Sequence, residues 1–129
     1  MHNLKKIPVI FFCYFSFIFL MVPTSFSSGN QIFNIEIVNQ IATGAKVEKS
    51  GGLGVIRVSK GDLVKIYWKS DQKTDLHLHG YNIKTKLSAT GNSLMVIEAK
   101  ATGRFSIEAH GFGDSHKHKT LIYLEVLPR

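Results

Sequence analysis

Residues 58–71 read VSKGDLVKIYWKSD, and this stretch decides the fold. Val64, Ile66 and Trp68 alternate with Lys65, Tyr67 and Lys69. A period of two places successive side chains on opposite faces of a strand, one face buried and one wet. The strand is entered through Lys60-Gly61-Asp62, a turn signal, and left through SDQKTD, a polar loop.

The same period recurs in both directions from here. Phe33, Ile35 and Ile37 alternate with Asn34 and Glu36. VIRVS precedes the turn. LHLHGY, IKTKLS and SLMVIEA follow, separated by short glycine- or asparagine-bearing turns. RFSIEAH sets Phe105, Ile107 and Ala109 against Ser106, Glu108 and His110. LIYLEVL closes the chain with Ile122, Leu124 and Val126 on one face. Seven or eight short strands at regular spacing, with no long helical period, predict an all-β sandwich or barrel. Asn39–Gly54, NQIATGAKVEKSGGLG, reads as a long loop carrying one irregular strand or a helical turn.

The first residues do not share this pattern. Lys5 and Lys6 precede an apolar run from Ile7 to Val22, and PTSFSS follows. A basic start, an apolar run and a small-residue exit describe a secretory signal peptide. Residues 1–27 are therefore expected to be cleaved near Ser27, leaving one domain over 28–129. The alternative is an uncleaved membrane anchor, for which the apolar run is short. Cleavage removes Cys13, the only cysteine, and six of the nine Phe residues. About 100 residues without a disulfide must then stand on their core alone, which is feasible at that length. Export to the periplasm or beyond, with no disulfide framework, fits a bacterial envelope. The formal charge of +7 falls by two, to +5, as Lys5 and Lys6 leave. The remaining lysines are scattered and the aromatics few, so nucleic acid is not the expected partner.

Six histidines are present, and five lie between His77 and His118. His77 and His79 share a strand face opposite Leu76 and Leu78. His110 ends a strand, and His116 and His118 stand in the segment GDSHKHK. Loops held at one end of a sandwich bring such residues together. Neutral imidazole is the commonest metal ligand, and a nitrogen-rich, thiolate-free set suits Cu(II) above Zn(II). Singly, each histidine is more often a solvated surface residue than a ligand. The set gains weight because three separate segments contribute. Glu108 and Asp114 add oxygen, as ligands or as acceptors that orient imidazole.

From Val58 to Pro128 the order VSKGDLVKIYWKSD, LHLHGYNI, TGNSLMVIEAKATGRFSIEAH and LIYLEVLP resembles a cupredoxin, and also the copper domain of cytochrome oxidase subunit II. The resemblance implies a Greek-key sandwich. It implies a first ligand at His79 in preference to His77. The family's thiolate place falls at His110, its second imidazole at His116 or His118, and its axial methionine at Lys119 or Thr120. Two of the four ligands are thus replaced, and the His₂Cys blue-copper site cannot form. The scaffold then offers His79, His110 and one of His116 or His118, with His77 as a fourth or supporting ligand.

Two functions compete. One is an exported copper-binding protein that holds, buffers or delivers Cu(II), with zinc as the other candidate ion. The other is a metal-free interaction module that engages an envelope protein. An enzyme is not expected. Asp114, Ser115 and His116 are adjacent on one loop, whereas a catalytic triad must converge in space. A three-histidine zinc site with an open position can be hydrolytic, but no substrate-selecting motif accompanies it here.

Overall fold

The computed structural model describes residues 27–44 and 46–129. The expected signal segment, residues 1–27, lies outside these apart from Ser27. Ten strands follow in order: β1 Asn30–Val38, β2 Ile41–Thr43, β3 Glu48–Ser50, β4 Leu53–Ser59, β5 Leu63–Ser70, β6 Thr74–Leu78, β7 Ile83–Leu87, β8 Asn92–Glu98, β9 Gly103–His110 and β10 His118–Leu127. They form two mixed sheets, ordered β2-β1-β5-β8 and β3-β4-β10-β9-β6-β7. β1 with β5 and β4 with β10 are the parallel pairs. The other pairings are antiparallel.

The period-two stripes account for the core. Val64, Ile66 and Trp68 are fully buried, while Tyr67 is exposed. Ile35 and Ile37 join them from β1, and Ile107, Ile122 and Leu124 face them from the larger sheet. Burying a large aliphatic side chain contributes about 1.5–3 kcal/mol, so these stripes fix which face of each strand turns inward. A one-residue slip would expose a whole stripe.

The KGD turn is pinned by its aspartate. The Asp62 carboxylate accepts hydrogen bonds from the backbone N–H of Gly29 at 3.1 Å and of Ser59 at 2.9 Å. It also pairs with Arg129. One side chain, 2% exposed, thus ties the first strand, a turn and the C-terminus together.

Asn39–Gly54 departs from expectation. It holds two short strands rather than one within a loop. Val38 pairs with Ile41 across Asn39 and Gln40, both at positive φ. Ser50 pairs with Leu53 across Gly51 and Gly52, also at positive φ. Two central residues of positive φ make the hairpin turn whose twist matches the flanking strands. Each strand has only three residues, too few for a period to show.

Candidate metal centre

β6 alternates strictly. Leu76 and Leu78 are fully buried, so His77 and His79 face outward. β9 does the same: Ile107 and Ala109 are buried, and Glu108 and His110 face outward. The register sets Leu76 opposite Ala109 and His77 opposite Glu108. His118 lies opposite His110 and Thr120 opposite Glu108. His77, His79, Glu108, His110 and His118 therefore converge on the outer face of the six-stranded sheet.

His118 reaches that face only because β10 is irregular. His118, Thr120, Ile122 and Leu124 share a parity that would put them on one side of a regular strand. The register shifts between Thr120 and Ile122. An extra residue flips the alternation, so Leu121 and Ile122 are both buried while His118 and Thr120 stay outside.

The convergence is on a sheet face, not at the pole of the sandwich where loops were expected to assemble it. The β9–β10 connection is folded back on the β5–β6 loop. Gly113 N–H donates to the Lys73 carbonyl at 2.9 Å, and the Thr74 hydroxyl donates to the Gly111 carbonyl. Phe112 is buried beneath. His116 is exposed on this connection and belongs to neither ligand group found among the described residues. Asp114, likewise exposed, is outside both groups.

Gly80 does not turn His79 inward. It stands at φ +82°, in the left-handed region that favours glycine, and a Cβ there would lie 2.5 Å from the Phe105 ring. Its role is to reverse the chain from Leu78 to Ile83, and His79 keeps to the outer face beside His77. His79 N–H donates to the Ser106 carbonyl at 2.9 Å, extending the ladder past β6.

The rings are close. Centroids are 4.2 Å apart for His77 and His79, 5.3 Å for His77 and His110, and 6.1 Å for His79 and His110. His110 and His118 stack at 4.2 Å with 7° between planes. His77, His79 and His110 each offer one ring nitrogen within 4.8 Å of the others. Glu108, His110 and His118 form a second group by the same measure.

The hydrogen bonding of these rings is incomplete in a patterned way. Among the described residues, four buried side-chain polar atoms lack a hydrogen-bond partner. One is Trp68 Nε1 in the core. The other three are His77 Nδ1, His79 Nε2 and His110 Nε2. Buried polar groups are nearly always paired, so three unpaired nitrogens in one cluster require an explanation. His77 Nε2–H donates to Asn82 Oδ1 at 3.0 Å, which leaves the lone pair on Nδ1. His79 Nε2 is 3.1 Å from Glu108 Oε2 but is not aligned for a hydrogen bond. Glu108 is steadied on its other oxygen by the Ser106 hydroxyl at 3.2 Å and the Thr120 hydroxyl at 3.4 Å.

Burial, reinforced by the charges of His118, His77 and His79, holds His110 below the ordinary histidine value; Glu108 opposes the shift. His110 is thus neutral near pH 7, the form a metal requires. Three imidazole nitrogens that make no hydrogen bond, beside a carboxylate, fit a borderline cation such as Cu(II) or Zn(II). Asn82, Ser106 and Thr120 are the supporting residues that sequence reasoning missed. The turn position of Asn82 in HGYN and the two-residue spacing of Ser106 and Glu108 were their only signals.

No protein-family model matches the sequence, and no curated protein matches it. Solved structures do match. A copper binding protein in its apo form, determined by NMR, superposes with a TM-score of 0.53 at 14% identity, over 78% of this chain and 90% of that one. A heme-copper terminal oxidase gives 0.53 at 17% identity, over 85% and 76%. The copper nitrite reductase of Nitrosomonas europaea gives 0.55 at 14%, over 78% of this chain and 42% of that one. At such identities the likeness shows the fold: this chain is a cupredoxin-like β-sandwich carrying a histidine cluster that could hold a metal ion.

Proposed function

We propose that this protein is exported to the periplasm or beyond and holds Cu(II) there, to buffer or deliver it. The observation that carries the reading is the trio of unpartnered nitrogens on His77, His79 and His110. A bound ion would satisfy all three at once. Copper supplies a Lewis acid that prefers nitrogen, and among divalent ions it normally binds such a set most tightly. The chain's own residues do the rest. Asn82 sets the tautomer of His77, and the hydroxyls of Ser106 and Thr120 steady the Glu108 carboxylate beside His79. With the only cysteine at position 13, the cluster has no thiolate, so it is read as a holder rather than an electron-transfer or catalytic centre.

Equilibrium dialysis against Cu(II) tests this. The wild type should retain about one copper per chain, as one three-nitrogen set would. His79→Ala and His110→Ala should lose it. Absence of uptake by the wild type would refute the reading.

One observation favours the second function, an interaction module. Ile32, Tyr67, Leu94 and Val96 are each more than two-fifths exposed, on neighbouring outward positions of β1, β5 and β8. Contiguous exposed apolar side chains mark contact surfaces. An envelope protein that binds a variant with all five histidines of 28–129 replaced as well as it binds the wild type would favour that function.

A further inference from the structure

The two ligand groups share His110. One is His77, His79 and His110; the other is Glu108, His110 and His118. A neutral imidazole has one lone pair, so one His110 ring serves one ion at a time unless it becomes imidazolate. The two groups are therefore alternatives for a single ion. They also differ in access. All members of the first are half-buried, whereas His118 is exposed and follows directly on the exposed residues 113–117.

We propose that the cluster is a two-station path, in which copper is captured at Glu108, His110 and His118 and moves to His77, His79 and His110 with His110 held throughout. The inference rests on the copper-holding reading above. The step is ligand exchange. Bonds to His118 and Glu108 break as bonds to His77 and His79 form, and the ion stays Cu(II), so no electron moves. The nitrogens that form the new bonds are His77 Nδ1 and His79 Nε2, which make no hydrogen bond; any proton one of them carries passes to water as its bond to the ion forms. Glu108 spans the path. Its carboxylate is a member of the outer group and lies 3.1 Å from His79. The stacking of His118 on His110 at 4.2 Å keeps the outer imidazole beside the shared one.

The test is stopped-flow transfer of copper from Cu(II)–nitrilotriacetate to the mature chain. His118→Ala should still take up one copper at saturation, but about tenfold more slowly than the wild type, a loss larger than its loss of affinity. His116→Ala, altered at a residue outside both groups, should load at the wild-type rate. The path is overturned if His118→Ala loads as fast as the wild type. It is also overturned if the wild type holds two ions at once with a spin-coupled signal. In either case the copper-holding reading survives; it falls, and the path with it, only if the wild type takes up no copper.

Discussion

Two polar clusters in this small sandwich make an instructive pair. Around Asp62, a buried carboxylate is saturated by two backbone N–H groups and Arg129. Around His110, three buried ring nitrogens make no hydrogen bond, although one of them, His79 Nε2, lies 3.1 Å from the Glu108 carboxylate. Both join segments distant in sequence, but only the first is complete. A polar node built for stability satisfies its own groups, because each buried unpaired group costs about 1–3 kcal/mol. A node built to receive a ligand leaves them open, and the fold bears that penalty until the ligand arrives.

The sharpest way to break this comparison is to exchange the losses. Asp62→Ala should lower stability by about 3 kcal/mol, the lower end for a broken buried ion pair, since Arg129 is 26% exposed and can turn to water. Copper uptake by the folded fraction should not change. His110→Ala should do the opposite, moving urea stability of the copper-free protein by no more than about 1 kcal/mol while abolishing copper retention. If His110→Ala unfolds the protein, the cluster is structural and the contrast fails.

A smaller effect is expected at Asn82. Residues that orient a ligating imidazole typically contribute 10–100-fold to metal affinity. Asn82→Ala should weaken copper binding by about tenfold, at the low end of that range, because His77 is one of three nitrogens and loses only its tautomer control. Competition against a chelator of known affinity would measure it. Unchanged affinity would mean that the bond from His77 to Asn82 is incidental.

The smallest effect concerns pH. His110 titrates below its ordinary value of 6.5 in the folded chain, so on acidification the unfolded chain takes up its proton first. Stability rises with pH wherever the unfolded state binds more protons. The His110 contribution is therefore fully present above about pH 6.5 and is lost as pH falls towards the folded value. Urea midpoints of the copper-free wild type should decline through that window more steeply than those of His110→Ala. Parallel curves would show that burial does not act on His110 as described.

Much of the fold was legible because burial in a sandwich is written as alternation. The stripe Val64, Ile66, Trp68 is inside, as its spacing predicts, and so are Ile35, Ile37, Ile107 and Leu124. The short hairpins at 38–41 and 50–53 were less legible, because turns of two residues separate strands too short to show a period. The candidate site was legible in composition and not in place. Histidines opposite leucines do face outward, but the meeting of His77 with Glu108, and of His110 with His118, depends on register. The β6–β9 register joins strands that are not consecutive, and the β9–β10 register, between consecutive strands, is shifted by an irregularity. The bulge that sends His118 outward marks the sequence only by the adjacent apolar pair Leu121 and Ile122, both buried. His116 differs from His118 by two residues, yet it stays on the exposed connection while His118 enters β10.

The central claim is that the unpartnered nitrogens of His77, His79 and His110 exist to hold one copper ion. Electron paramagnetic resonance of the protein loaded with a single equivalent of Cu(II) tests it most directly. The account predicts one species with hyperfine coupling to three imidazole nitrogens, lost when those three histidines are replaced together. An unchanged spectrum from that triple variant, or only the signal of aqueous copper from the wild type, would contradict it.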